Sequence, residues 1–429
     1  MKLIVKTLRE ALKTPGFSSL YIVGVAFTIA FTMIYGMLLY GQLGPIYPEY
    51  DRSSTMYIDA TVTKSERSSS SNGLGIPFIE EFLRDSLSSI EKMTVTSRWN
   101  SGYPMVQTDG HGPEFNVQIR KVEPSFFDFY KYEFKAGNSF SQGDFESGRC
   151  VAVISDKVSN RLFSSPEEAI GKYISIDHVK YHIDGVVREG SALSVDSYGE
   201  VFIPYERYSN GNTVPKKYTG AVKAIIKVKP GKENQLREEL RDICRRINSV
   251  DTTAARFYLP IVISHAEHVL INPEVDWDSE MKIEEAPSFF DLWKPLIIAL
   301  LVLLIIPALN ISGLIGARMD RMGSEIGVRR CFGAKRPRLM SMILRENLIL
   351  TLIGGLVGLI TAWLIVKFAG SFLLELTPLE YQTQSSFNDS ASFVTGEMAF
   401  APLLFAVVLV VCLVLNIISA WVPARILYL

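Results

Sequence analysis

Four stretches free of Asp, Glu, Lys and Arg divide this 429-residue chain. They run over 14–48, 295–317, 347–366 and 398–424, or 35, 23, 20 and 27 residues. A helix rising about 1.5 Å per residue needs roughly 20 apolar residues to cross a hydrocarbon core of about 30 Å. All four qualify, which excludes a soluble cytosolic chain. The first is far longer than the apolar run of a cleaved signal peptide and ends without a small-x-small site, so it reads as a permanent anchor.

Charge sets the expected topology. Residues 1–17 carry Lys2, Lys6, Arg9 and Lys13 against Glu10, and 318–346 carries eight Lys/Arg against Asp320, Glu325 and Glu346. The positive-inside rule puts both in the cytoplasm. The segment 49–294, with 30 Lys/Arg against 37 Asp/Glu, then lies outside, and so does 367–397. The expected order is a cytoplasmic amphipathic helix (1–17), a membrane helix (18–43), an outer domain (44–290) and a second membrane helix (291–317). A cytoplasmic loop (318–346), a third membrane helix (347–369), a short outer loop (370–397), a fourth membrane helix (398–424) and a cytoplasmic tail (425–429) complete it. The fold class is thus an α-helical membrane protein of four transmembrane helices with a large α+β domain between helices one and two.

Residues 2–13 set Leu3, Ile4, Leu8, Ala11 and Leu12 against four basic residues, an interfacial helix with its basic face toward anionic membrane lipid or a partner. In the outer region, the Ser68–Ser71 run and Asn72-Gly73 read as loop, and 77–92 reads as a helix with Phe78, Phe82, Leu83, Leu87 and Ile90 inward. Short β-type runs follow at 115–121, 150–155, 173–176, 180–188 and 200–203, then an alternating strand at 222–229 and a helix at 232–247. Together they predict an α+β domain in two subdomains. The acidic run 274–291 does not have EF-hand spacing and reads as a solvated approach to the membrane.

Inside the apolar stretches, Gly354 with Gly358 and Ser312 with Gly316 offer small-xxx-small packing, while Pro307, Asn310 and Asn416 need partners in lipid. None of the four carries a charge, which argues against an ion-coupled transporter.

Catalytic motifs are missing: there is no P-loop, no G-x-S-x-G and no H-E-x-x-H. His265 and His268 would share a helical face, but no third ligand stands at helical spacing, and a surface or locally bonded pair is the expectation. His178 and His182 flank a turn and do not converge. Cys150 and Cys244 allow at most one outer disulfide and read as small buried residues. The balance of 44 Lys+Arg and 45 Asp+Glu gives no basis for nucleic-acid binding.

The cytoplasmic segment 318–346 reads RMDRMGSEIGVRRCFGAKRPRLMSMILRE. Ser324 caps a short helix with Glu325 in its first turn, Gly333 ends it, and Pro337 starts the next. The pattern is compatible with a rigid projection toward a partner and equally with a plain basic anchor.

Here the residues resemble a known family. Glu325-Ile326-Gly327-Val328-Arg329-Arg330-Cys331-Phe332-Gly333-Ala334 is similar to the E-I-G-x-R-x-x-x-G-A signature of MacB/FtsX-type ABC transporter permeases. The Gly354-Gly355-x-x-Gly358 run and Pro423-Ala424-Arg425 resemble that domain's continuation. VEPSFFDFYKYEFKAGNSF (122–140), VAVISDKVSNRLF (151–163), AIGKYISID (169–177) and YHIDGVV (181–187) resemble a MacB-type periplasmic core domain. Cys331 and Phe332 depart from the smaller residues usual there, and against the family's pattern the expectation is a missing or truncated basic tail after Arg425 and an ATP-binding domain carried on a separate polypeptide. The resemblance implies a multi-pass protein of the bacterial inner membrane with both termini cytoplasmic. It also implies a homodimer or a heterodimer with a sister permease, bound to a separate ABC ATP-binding subunit. This chain would bind no cofactor or metal itself; ATP and Mg²⁺ would act through that subunit. Glu325, Ile326, Gly327, Arg329, Arg330, Phe332, Gly333 and Ala334 would form the coupling helix. Motion would pass to the outer domain by mechanotransmission and act on cargo or a periplasmic adaptor. A sensor or scaffold with an outer ligand-binding domain and no ATPase is the rival reading, and a membrane enzyme is the third.

Overall fold

The computed structural model describes residues 15–64, 69–84, 86–98, 104–108, 114–205, 218–250, 256–258, 262–271 and 336–369, with scattered positions at 290–302, 328–332 and 406–414. The basic stretch 2–13, the acidic residues from Glu274 to Glu285, and Pro307, Asn310, Ser312, Gly316 and Asn416 lie outside these. The helices that organise the chain are α1 (Pro15–Leu43), α2 (Glu233–Val250), α3 (His265–Ile271) and α4 (Arg336–Phe368).

Among the described residues two spans, Ser18–Leu43 and Leu348–Phe368, are long and apolar enough to cross a membrane. The stretches expected at 291–317 and 398–424 fall mostly outside the described residues. Within them Ile297, Ile298, Leu301, Val302, Val407, Val410, Val411 and Val414 are helical and exposed. Helix α4 begins with Pro337 in its first turn, where a missing N–H costs nothing, so the charged approach to the span is itself helical.

The chain divides into two compact units, one built on α1 and α4 and one running from Gly41 through α3. In the first, the expected glycine spacing is what allows close packing. A Cβ on Gly354 would lie 2.9 Å from Cβ of Val25, and one on Gly358 would lie 2.5 Å from the Ala26 carbonyl oxygen. The Tyr21 hydroxyl and Thr351 Oγ1 lie 3.1 Å apart and satisfy each other. Thr28 and Thr32 donate to carbonyls one turn back, Gly24 at 2.8 Å and Thr28 at 2.9 Å, so neither leaves an unmet hydroxyl. Gly358→Val must push α1 and α4 apart and should cost about 1–3 kcal/mol, as overpacking does. Gly24→Ala, which meets nothing within 4 Å, is the control. Thermal aggregation of the detergent-solubilised chain checks this: the first variant should melt lower and the second unchanged.

The outer unit is built on one sheet. The strands that frame it are β1 (Thr55–Ile58), β2 (Ile90–Ser97), β3 (Ile119–Val122), β4 (Val151–Ser155), β5 (Tyr173–Ile176), β6 (Val179–Val187), β7 (Val201–Pro204), β8 (Val222–Val228) and β9 (Ile263–Ser264). They pair in the order β9-β1-β8-β2-β3-β7-β4-β6-β5. The pairs β3–β7 and β4–β6 are parallel and the rest antiparallel. Strand β4 (VAVIS) is buried at all five positions, as a strand covered on both faces must be. Its alternate residues serve two cores. Val151 and Val153 join Phe126, Phe127, Phe202, Ile225, Leu236 and Leu240, while Ala152 and Ile154 join Val106, Ile119, Val158, Ile183 and Val201. Where two subdomains were expected, one sheet with a core on each face is found.

Three local expectations are corrected. The helix expected at 77–92 ends at Leu83, and residues 90–97 form β2, because its β-branched alternation pairs with β8 from Val222 to Val228. The Ser/Asn/Gly run is a strand, Ser69–Leu74, paired with Thr61–Lys64. Gly73 suits that strand, since a Cβ there would sit 2.7 Å from the Val222 carbonyl. Cys150 is exposed rather than buried, and no disulfide joins it to Cys244.

Candidate functional site

Of the eight coupling residues, Glu325, Ile326, Gly327, Arg329, Arg330, Gly333 and Ala334 lie outside the described residues. Phe332 lies within them. Its amide donates to the Val328 carbonyl at 3.2 Å, one helical turn, and its side chain is 88% exposed.

The most elaborate polar construction among the described residues is in the outer unit, where α1 ends. The last carbonyls of a helix have no partner inside it. Here they are met by side chains from farther along the chain. Arg52 donates through Nη1 to the Gly41 and Gly44 carbonyls, at 2.8 and 2.6 Å, and through Nη2 to Ser194 Oγ at 2.9 Å. Its Nε reaches Glu49 Oε2 at 2.7 Å, and both side chains are buried. A guanidinium is the group for this place, because its five donors serve several acceptors in one plane. Glu49 also accepts the Ser197 amide at 3.1 Å. Burial would push the Glu49 carboxyl up, but Arg52 and His265 outweigh it and hold it below its ordinary value.

The Gln42 carbonyl is met by His265. Ser264 and Glu267 form a capping pair, the Ser264 amide donating to Glu267 Oε2 at 2.6 Å and the Glu267 amide to Ser264 Oγ at 3.4 Å, which starts α3 at His265. His265 Nε2 is 2.7 Å from the Gln42 carbonyl and Nδ1 is 2.9 Å from the Tyr57 hydroxyl. A carbonyl only accepts, so Nε2 carries the proton, and Nδ1 accepts from Tyr57. Burial lowers the His265 pKa and keeps this neutral form in place.

One turn on, His268 stacks on the Tyr57 ring with centroids 4.4 Å apart. Its Nδ1 is 3.0 Å from Asp59 Oδ2 and its Nε2 is 3.0 Å from Asp196 Oδ2. Lys223, from β8, pairs with Asp196 and stands 3.7 Å from Asp59. Burial opposes charge on His268, but the two carboxylates outweigh it and push its pKa up to about 10. Asp196 and Asp59 are held below their ordinary value against burial, chiefly by His268 and then by Lys223. Asp196 sits in a buried loop, Ser191–Tyr198, whose other groups are claimed from outside. Arg120 donates to the Tyr198 carbonyl at 2.7 Å and the Val195 carbonyl at 2.5 Å, and Tyr132 donates to the Ser197 carbonyl.

The pairing of His265 with His268 on one face was legible, but their partners were not. The expectation of a surface or local pair is corrected: both are buried and their partners are 200 residues away or more for Tyr57 and Gln42, and tens of residues away for Asp196. The cluster is a balanced ion set rather than a metal site, and among the described residues no group of His, Cys, Asp and Glu is arranged to hold a metal. His182, by contrast, pairs locally with Asp184 at 2.5 Å, and His178 sits in a turn, so the two do not converge.

Comparison with known proteins agrees with this architecture. Residues 18–243 match the MacB-like periplasmic core domain family, and residues 297–428 match the FtsX-like permease C-terminal family. A pyoverdine export ATP-binding/permease protein of Pseudomonas savastanoi is 27% identical over 231 residues, 53% of this chain and 32% of the relative. The macrolide export ATP-binding/permease protein MacB of Escherichia coli O157:H7 is 21% identical over 307 residues, 71% of this chain and 41% of the relative. The chain thus spans about a third to two fifths of the length of these relatives. The crystal structure of the periplasmic region of MacB from Actinobacillus actinomycetemcomitans aligns with a TM-score of 0.36 and 15% identity, covering 52% of this chain and 94% of that one. With one family covering 18–243 and the other 297–428, the chain belongs to the MacB/FtsX-type ABC transporter permeases.

Proposed function

We propose that this chain is the permease subunit of a MacB/FtsX-type ABC transporter that carries ATP-driven motion across the membrane to an outer domain. The observation that supports it is the fixing of the α1 terminus. Three acceptors at its end, the carbonyls of Gly41, Gln42 and Gly44, are bonded to Arg52 and His265. A helix that merely anchors a domain needs no such fixture, since water can satisfy its end. A helix that moves a domain does need one.

In this reading the termini are cytoplasmic, a separate ATP-binding subunit supplies hydrolysis with its ATP and Mg²⁺, and the permease works as a homodimer or with a sister permease. Glu325 to Ala334 form the coupling helix, in which Gly327 and Gly333 allow a tight backbone. Ile326 and Phe332 fill an apolar groove on the ATPase, while Glu325, Arg329 and Arg330 set register. The exposed Phe332 ring supports that assignment. Work is done on cargo or an adaptor outside, by export or extraction.

The test is ATP hydrolysis by the cognate ATP-binding subunit, reconstituted in lipid with this chain. Gly327→Trp should abolish the permease-dependent part of the activity while leaving thermal stability and membrane insertion intact. A well-folded permease that binds no ATPase would instead favour the sensor or scaffold reading.

A further inference from the structure

Within the outer unit, two segments come together: 41–59, which follows α1, and 263–271, which runs through α3. The two are joined in several ways. Strand β1 pairs with β9 through Met56 and Ser264, and through Tyr57 and Ile263. His265 bonds the Gln42 carbonyl and Tyr57, and His268 stands as an ion pair with Asp59 while stacking on Tyr57. Both segments are then tied to a third, the buried loop Ser191–Tyr198. Arg52 and Glu49 hold it from the first segment, at Ser194 and Ser197, and His268 holds it from the second, at Asp196.

The geometry points to a clasp: Asp196, with His268, Lys223 and Asp59, locks the segments 41–59 and 263–271 to the buried loop, so that the three stretches open as one body. This rests on the motion-carrying function proposed above but is independent of which ATPase drives it. Asp196 and its partners are positioning residues, and the buried loop is the point where three otherwise separate stretches of chain meet. Ion groups taken out of water hold tightly while balanced, but opening any one of the three segments strands a buried charge in the others. Opening is therefore concerted or absent. Segments bound only by apolar contact would instead slide and fray independently.

Hydrogen exchange on the full chain in lipid nanodiscs, without ATPase, tests this. In the wild type, protected amides of 41–59, 191–198 and 263–271 should open at one common denaturant dependence, as a single unit. Asp196→Asn, which removes one charge with little change of shape, should speed exchange in all three by a similar factor, on the order of 100-fold. Asp196→Asn combined with Lys223→Met restores charge balance and should return most of the protection. Different opening free energies for the three segments in the wild type would overturn the clasp, and so would acceleration confined to 191–198. If the clasp holds in this assay yet Gly327→Trp leaves ATPase coupling unchanged, the function fails and the clasp stands. The wild-type measurement also decides the matter should Asp196→Asn not fold.

Discussion

Replacing Arg52 with Met should destabilise the outer unit by about 3–5 kcal/mol, the usual cost of removing one partner of a buried ion pair. Met keeps the apolar stem and ends about where Nε stands, so the change deletes the charge and every donor while leaving the stem's packing in place. Four acceptors lose their partner together: Glu49 Oε2, the Gly41 and Gly44 carbonyls, and Ser194 Oγ. Glu49 is the worst placed, since it is buried and keeps only the Ser197 amide nearby. Its pKa, now held down by Arg52, should rise as burial prevails. Adding Glu49→Gln removes the stranded charge and should recover part of the loss, whereas an additive effect would mean the two do not interact. Hydrogen exchange at the end of α1 reports it: amides there should exchange roughly 100- to 1000-fold faster in the single variant. Arg52→Lys should not rescue, because one ammonium cannot reach carbonyls, hydroxyl and carboxylate in a shared plane.

Much of this protein is legible in its sequence because lipid and sheet impose simple periods. The uncharged run ending before Glu49 marks α1, and the run after Glu346 marks the apolar part of α4. Runs such as VAVIS and VKAIIKV read as strands because β-branched residues have few other uses at that spacing. Gly354 and Gly358 announce a close helix approach. What fails is what depends on distant partners. PFIEEFLRDSLSSIEK has a helical period throughout, yet Ile90 onward is captured by β8 more than a hundred residues later. Lys223 in β8 alternates like a solvent-facing residue, and nothing local says that it faces Asp196 and Asp59. Asp196 itself lies in SALSVDSY, a composition that usually means an exposed loop. Ser264-x-x-Glu267 was a usable signal for the start of α3, and with it the shared face of His265 and His268.

The polar clasp also explains why polar residues occupy the centre of a well-packed unit. Apolar burial is insensitive to direction, so it cannot by itself fix which way a helix end points. Hydrogen bonds from Arg52 and His265 do fix it, because each donor has one geometry. The cost is desolvation, offset here by balancing three carboxylates (Glu49, Asp59, Asp196) with three cations (Arg52, Lys223, His268).

Raising pH should loosen this junction, and the sign follows from His268. Its folded pKa of about 10 lies above the ordinary histidine value of 6.5. Between the two, the folded chain holds a proton that the unfolded chain has lost, so stability falls as pH rises. The contribution is complete below about 6.5, declines through the interval, and is gone above about 10. Asp196 and Asp59 behave oppositely: held low, they contribute above the ordinary aspartate value of 3.8, and that contribution fades on acidification. Neutral His265 is buried with a lowered pKa, so acid must charge it against its surroundings, which sharpens the acid limb. The junction should thus be firmest near pH 6.5, where the His265 and His268 contributions are both in place, and weaken by several kcal/mol toward pH 10, with one proton taken up on folding in that interval. Denaturant-dependent exchange of amides in 263–271, measured at pH 6, 8 and 9.5 and corrected for intrinsic rates, checks the slope. His268→Gln should flatten it, because the proton it measures is then absent. A slope unchanged in that variant would place the alkaline loss on another group.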